Sequence, residues 1–344
     1  MQKPTFGIGA VSPTLPSWIR EYSDCIDSEI SGLHHFGDSS LTKAVTDALE
    51  GKGKRIRAIL SMLWCEVVSG DYRQAIPVSV AYELAHAAAL IQDDIIDNSN
   101  SRRGKLSIVA KYGLPEAILS SDLLLFQVPK KLAEYGDLGV STAVLCKLFD
   151  VLGEAYGAAT LGEFLDLEMV KNDDLAESSY EEMIRLKTGA LVAASAASGV
   201  IVGNKDRIDE KMVHLAYGFG EKLGMAYQVK DDLLDLMGDE TAIGKPVFTD
   251  MKSGKRNIVI IHTLKNSSVS DREYIRGLFF REHYTESEIA RARDIFSVCG
   301  AVEHAMLTSE RFTESARDLI SDLSEGDAKN RLLEMADYLV TRSS

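Results

Sequence analysis

An all-α fold is predicted, and three observations carry it. Apolar residues recur at three- and four-residue spacing over most of the 344 residues, strand-like alternation is nearly absent, and Gly, Pro, Asn or Asp punctuate the chain at intervals suiting helices of about 15–30 residues. Residues 1–16 carry Pro4, Pro13 and Pro16 and are expected to form an irregular lead-in, with a helix starting at Ser17. After a break at Gly51–Gly53, the stripe Ile56, Ile59, Leu60, Leu63 and Val67 reads as one helix face; after Gly70–Asp71, Val80, Leu84, Ala87 and Ile91 read as the next. Further breaks fall at Asn98–Gly104, Gly113–Pro115, Gly136–Gly139, Gly203–Asn204 and Gly238–Gly254. The stretch Thr188–Gly203 is free of charge and rich in Ala, Ser and Gly; shorter than the roughly 20 residues a membrane span needs, it reads as a buried helix packed closely on its neighbours. Leu215, Phe219, Leu223 and Val229 mark the helix after it. No linker divides the remainder, so residues 17–344 are expected to form a single all-helical domain.

Composition narrows the function. The 52 acidic residues outweigh 38 Lys and Arg, leaving a net charge of −14 whose overall field repels a polyphosphate backbone or an anionic membrane. No nucleic-acid partner and no transmembrane segment are expected. With 45% hydrophobic and 26% charged residues the bulk of the chain is not disordered. Cys25, Cys65, Cys146 and Cys299 lack metal-ligand or redox spacing, and the N-terminus lacks the pattern of a signal peptide, so a reduced cytoplasmic enzyme is expected.

Function becomes legible at a self-similar pair, LIQDDIID (Leu90–Asp97) and QVKDDLLD (Gln228–Asp235). On a helix Asp93 and Asp97 share a face one turn apart with Asp94 beside them, and Asp231, Asp232 and Asp235 repeat the arrangement. Three like charges in one turn repel, so a cation is expected among them unless they are merely solvated. A single such run in an acidic protein is more often an exposed helix end. Two runs, each continuous with an apolar stripe and each enclosing an apolar pair, point instead to the polar end of a buried cavity. Hard oxygen ligands suit Mg²⁺, and two facing triads would clamp a diphosphate. An EF-hand is excluded because neither run has its alternate-residue ligands and central Gly.

Basic clusters supply the complement. GKGKRIR (Gly51–Arg57) places Lys54 and Arg57 at i, i+3 after a Gly-rich turn. Arg102 and Arg103 follow the first triad; Lys187–Thr188 and the loop Gly244–Arg256 add Lys245, Lys255 and Arg256. Taken together, these clusters suit two phosphorylated ligands.

In this order the motifs GKGKRIR, His86 seven residues before the first triad, DDIIDNSNSRRGK, KTGAL, YQVKDDLLD and GKPVFTDMKSGK resemble the trans-isoprenyl diphosphate synthases, from about Gly51 to Arg256. The resemblance implies a helical bundle of isoprenoid-synthase type around a deep apolar cavity, usually in a homodimer. It implies that isopentenyl diphosphate condenses with an allylic prenyl diphosphate, assisted by Mg²⁺, three ions when substrate is bound. Asp93, Asp94, Asp97, Asp231, Asp232 and Asp235 are the implied metal ligands. Lys187, Lys245, Lys255 and Arg102 would hold the allylic diphosphate, and Gly53, Lys54, Arg57, His86 and Arg103 the isopentenyl diphosphate. Thr188 and Gln228 would turn oxygens toward the developing allylic cation, which makes them, with Lys187, the implied catalytic positions. For His86 alone a satisfied core histidine would be the simpler reading; its spacing from Asp93 overturns that.

The chain departs from the family pattern at Ala58 (usually Pro), Gln92 (often His) and GEFLD (Gly162–Asp166), where Glu163 replaces an amide. Product length is read from the helix ending in Asp93, each turn of about 5.4 Å adding roughly one isoprene unit. Short-chain members place an aromatic five residues before the first Asp, where this chain has Ala88, with Ala89 beside it and Ala85 a turn deeper. Tyr82 is the first bulky candidate floor, which predicts a product near C25 to C30 with C20 as competitor; Phe126 on the next helix is a second candidate floor. A class I terpene cyclase is the nearest rival and needs no isopentenyl site. A non-catalytic regulatory subunit would have no need of intact triads.

Overall fold

The computed structural model describes residues 16–33, 37–50, 53–172, 174–239 and 247–341. Apart from Pro16, the expected lead-in lies outside the described residues. Helix α1 (Ser17–Ser31) begins where predicted, after Pro16 at its N-cap. Then come α2 (Ser40–Glu50), α3 (Ile56–Ser69) and α4 (Ile76–Ile96), the last with Pro77 in its first turn, where a missing N–H costs nothing. The Asn98–Gly104 break is a small hairpin, β1 (Ser101–Arg102) paired antiparallel with β2 (Lys105–Leu106). Arg103 and Gly104 both take positive φ at its tip, as a two-residue turn of this hand requires. A one-turn α5 (Ile108–Tyr112) leads to the long α6 (Leu114–Asp137) and α7 (Thr142–Met169), the latter capped by the Ser141 hydroxyl, which accepts from Val144 N–H.

Helix α8 (Glu177–Ile184) passes through a π-turn (Arg185–Gly189) into α9 (Ala190–Gly203), and α10 (Glu210–Met237) follows, capped by Asp209. Shorter elements follow: α11 (Thr249–Ser253), α12 (Ile258–Asn266), α13 (Val269–Arg276), α14 (Glu286–Val298) and, longest of these, α15 (Ala301–Leu319). The last helix is α16 (Asp327–Thr341). The all-α expectation holds, although α2, α5, α8, α11, α12, α13 and α14 are shorter than the predicted range.

The fold is built around α9, which packs against α3, α7 and α10 and is buried from Ala190 to Val202. Its small residues explain the closeness. A Cβ at Gly199 would lie 2.1 Å from the Ser61 carbonyl oxygen, so α3 and α9 meet backbone to backbone, and Ser61 Oγ donates to Ser195 O at 2.8 Å across the same contact. Helix α4 packs on α6, and α10 feeds two apolar clusters: Phe219 and Leu223 enter one, Val229 and Leu233 the other. Because the π-turn carries α8 into α9 without a stop, Glu177–Gly203 is long and apolar enough to cross a membrane, as is Tyr72–Ile96; their apolar windows are 83% and 72% buried among other helices, which accounts for their composition.

Candidate active site

Helix α4 delivers Asp93 and Asp94 to its last turn and Asp97 to its C-cap, where the helix dipole is negative and three carboxylates are disfavoured. Cations offset this. The hairpin turns Arg102 back so that Nη2 lies 2.6 Å from both Asp93 Oδ2 and Asp94 Oδ1, while Nε donates to Asp94 Oδ1 at 2.9 Å. Lys255 Nζ donates to Asp97 Oδ2 at 2.7 Å. Burial pushes the Asp93 carboxyl up, but Lys187, Lys255 and Arg102 together outweigh it and hold the group below its ordinary range. Asp94 is more enclosed, and burial raises its carboxyl despite Arg102.

The second triad is arranged differently. Asp232 accepts from Tyr180 Oη at 2.6 Å and from Gln228 Nε2 at 2.7 Å, and Gln228 Oε1 in turn accepts from Thr188 Oγ1 at 2.8 Å. Asp235 is turned to α11, accepting from Thr249 Oγ1 at 2.5 Å and from the Thr249 and Asp250 N–H groups at 3.2 and 3.0 Å. Asp231 is half-buried beside them. Burial raises the Asp232 carboxyl, and burial with the Asp235 and Asp232 charges raises that of Asp250.

Two lysines join the triads. Lys187 Nζ sits 2.7 Å from Asp166 Oδ2, 2.7 Å from Glu163 Oε2 and 3.8 Å from Asp93 Oδ1. Lys255 reaches Asp166 Oδ2 at 3.8 Å besides its bond to Asp97, and it lies in the fields of Asp93 and Asp250. Asp166 is also close enough to Asp232 to raise its carboxyl. The acidic turns of α4 and α10 therefore face one another across an α7 carboxylate and two ammonium groups. Lys187 is seated by the π-turn, an irregularity common at functional sites, and by Gly162, where a Cβ would lie 2.2 Å from Lys187 N. Among the described residues no three acidic or histidine side chains are already gathered as for a metal; Lys and Arg nitrogens stand between them. The donor set, all carboxylate oxygen, suits a hard divalent cation once those nitrogens turn to a ligand.

A second cationic cluster lies beside the first triad. The Arg103 guanidinium packs over Gly53, coming within 3.0 Å of where a Cβ would sit, so a side chain there would have to displace it slightly. Arg57, whose Nε is buried without a hydrogen-bond partner, His86 and Arg103 lie in one another's fields, and Lys54 is half-buried next in sequence. Burial and the neighbouring guanidiniums of Arg57, Arg103, Arg102 and Arg55 push the His86 imidazole well below its usual value and hold it neutral. An unfolded chain protonates this histidine as pH falls through about 6.5 and the folded chain does not, so its share of stability is complete above that pH and lost below it, by about 1.4 kcal/mol per pH unit. His86→Gln is expected to flatten the stability profile by about 1 kcal/mol over the first unit below about pH 6.5, the slope approaching its full value only further down; urea melts with an unchanged slope would contradict a neutral His86.

Along α4, Ala85 and Ala88 are fully buried and Ala89 is half-buried. Tyr82 is fully buried and shares a 3.0 Å hydrogen bond with Ser198 Oγ of α9. Phe126 is 74% exposed and faces away from the core, so it is no floor; the sequence places it on α6 but does not say which face of α6 looks outward. An open cavity of about 200 Å³ lined by Asp71, Gln74, Tyr135 and Lys205 lies at the opposite end of α4 and shares no residue with the acidic turns. Lys245 lies outside the described residues. Sequence reasoning missed Asp166, Asp250, Tyr180 and Tyr156, whose buried hydroxyl lacks a partner and whose ionisable neighbours are Arg57 and Tyr82. The segment Gly162–Asp166 pointed toward Asp166 and the motif GKPVFTDMKSGK toward Asp250, while Tyr180 and Tyr156 had no such signal.

Acidic turns from two helices of an all-α bundle, opposed across paired lysines, define the isoprenoid-synthase architecture. The chain belongs to the polyprenyl synthetase family, whose family model matches residues 38–296. It is 31% identical to the short chain isoprenyl diphosphate synthase of Methanothermobacter thermautotrophicus over 94% of this chain and 97% of that one. It is 30% identical to the geranylfarnesyl diphosphate synthase of Aeropyrum pernix over 92% and 99%. The crystal structure of geranylgeranyl pyrophosphate synthetase from Pyrococcus horikoshii superposes with a TM-score of 0.86 at 30% identity, covering 94% of this chain and 97% of that chain. The protein is accordingly a prenyltransferase of the isoprenyl diphosphate synthase type, with a short-to-medium product range among its relatives.

Proposed function

We propose that the protein condenses isopentenyl diphosphate with an allylic diphosphate and releases an all-trans prenyl diphosphate of about C25 to C30, with C20 as the competing length. The observation that carries this is the placement of Lys187 and Lys255 between the two acidic turns, within reach of a diphosphate entering there. Asp93, Asp94, Asp97, Asp231 and Asp232 are the ligands we assign to Mg²⁺, three ions with substrate bound; Asp235 would have to give up its bonds to α11 to join them. Bound Mg²⁺ would supply positive charge against the leaving diphosphate. Lys187, Lys255 and Arg102 exchange carboxylate partners for phosphate oxygens. Gln228 spends its N–H on Asp232 and its carbonyl on Thr188, so the Thr188 hydroxyl, donating to Gln228, keeps its oxygen lone pairs for the allylic cation. Apolar side chains of α4 and α9 exclude water until the isopentenyl double bond attacks the allylic cation, and the new cation then loses a proton to the released diphosphate. Arg57, His86 and Arg103 hold the isopentenyl diphosphate, which favours elongation over cyclisation.

We extend the reading to one helical domain over 17–344, since α10 feeds both apolar clusters, and to a cytoplasmic homodimer. Ile118, Leu119 and Phe126 on α6 with Leu161 and Phe164 on α7 are exposed and apolar, a face suited to a second copy. The test is incubation with isopentenyl diphosphate, Mg²⁺ and geranyl, farnesyl or geranylgeranyl diphosphate, with product chromatography; a cyclised hydrocarbon or no turnover rejects the assignment. Tyr82 lies six residues, about 9 Å along the helix, beyond the position of the short-chain aromatic, which corresponds to nearly two more isoprene units. In the same assay Tyr82→Ala is expected to lengthen the main product by one or two units, and an unchanged profile removes Tyr82 as the floor.

A further inference from the structure

Glu163 is placed by the same contact that seats Lys187. Because Gly162 packs against the Lys187 backbone, the next residue and Asp166, one turn on, both reach the ammonium, each at 2.7 Å. With Asp93 at 3.8 Å, three carboxylates surround one cation. The two α7 acids differ in their remaining partners. Asp166 has Lys255 at 3.8 Å as a second counter-ion, whereas Glu163 Oε1 is buried with no hydrogen-bond partner. Burial accordingly raises the Glu163 carboxyl.

We propose that Glu163 is a competing anion that sets the affinity of the site for the allylic diphosphate. It holds Lys187 in the substrate-free enzyme, and its charge must be turned from Lys187 before the ammonium can bond a phosphate oxygen. It also repels an incoming diphosphate across a partly buried gap, where screening is weak. Asp166, supported by Lys255, stays in place, so Lys187 remains tethered when Glu163 lets go. Glu163 is thus a positioning and specificity residue acting through Lys187, and the charge, not the shape, of its side chain does the work. The inference rests on the diphosphate reading of the site.

The experiment is direct titration calorimetry of inorganic diphosphate, with and without Mg²⁺, into the full-length wild type, Glu163→Gln and Glu163→Asp, followed by steady-state kinetics. Glu163→Gln is expected to bind diphosphate about tenfold more tightly, equivalent to about 1.4 kcal/mol, and to lower KM for farnesyl diphosphate about as much, with KM for isopentenyl diphosphate unchanged. Glu163→Asp, which keeps the charge, is expected to stay within about threefold of wild type, a split that a packing role would not produce. Equal or weaker binding by Glu163→Gln overturns the inference alone. A raised Mg²⁺ requirement in that variant also overturns it, by making Glu163 a metal ligand. Absence of diphosphate binding by the wild type overturns both this inference and the reading on which it rests.

Discussion

Replacing Asp94 with asparagine is expected to lower kcat by about 10³-fold while leaving the fold intact. The side chain is only 2% exposed, and its Oδ1 accepts two bonds from Arg102. Asparagine keeps the shape and one carbonyl acceptor for Arg102, and burial already disfavours the carboxylate form. Losing the charge therefore costs little in stability. It is expected to cost much in catalysis, because under the proposed assignment the α4 turn presents negative oxygen to Mg²⁺, and an amide carbonyl is a far weaker ligand. Asp93→Asn is expected to act similarly and to loosen Lys187 and Lys255 as well, since Asp93 lies in the fields of both. Steady-state rates over a Mg²⁺ series, alongside thermal melts, separate the two effects. Activity within tenfold of wild type for Asp94→Asn would sink the metal assignment of this turn.

Asp235→Asn should behave differently, and the contrast shows what the sequence could convey. Spacing made the second triad look like a copy of the first. Yet Asp235 caps α11 through three bonds to Thr249 and Asp250, partners fourteen and fifteen residues away across a Gly-bearing loop. The helices were legible because burying one stripe of a cylinder writes its period into the chain. Two-residue strands write no period, so the Ser101–Leu106 hairpin that aims Arg102 was invisible except as a break. The π-turn under Lys187 was hidden too, since it depends on the bare backbone of Gly162 meeting Lys187 across 25 residues of sequence. Charges present the same difficulty. Asp166 and Asp250 join the site through Lys187 and Lys255, and although each lies in a segment resembling a family motif, neither carries the paired-carboxylate spacing that marked the triads.

The GKGKRIR segment makes that limit testable, because Arg55 and Arg57 are chemically identical, two residues apart, and expected to fail in opposite ways. Arg55 adopts a left-handed backbone at the start of α3 and sends its guanidinium inward. There Nε meets Asp27 Oδ1 at 2.9 Å, Nη1 meets Glu83 Oε2 at 2.9 Å and Nη2 the Leu49 carbonyl at 3.3 Å. Arg55→Met would leave Glu83, 4% exposed, without its partner, and is expected to destabilise the protein by about 3–5 kcal/mol. Arg57 is in the reverse position. Burial pushes its guanidinium below the usual value, with Arg103 adding to the effect, so in the ligand-free protein its charge is held at a cost. Arg57→Met is expected to leave stability unchanged or slightly raised, and to raise KM for isopentenyl diphosphate on the order of 100-fold by removing a desolvated cation from its phosphate site. Urea melts and KM measurements on the two variants decide the matter. If Arg55→Met melts like wild type, or Arg57→Met unfolds more readily while binding isopentenyl diphosphate normally, then the division of this motif into a structural and a binding arginine is wrong, and with it the location of the isopentenyl site.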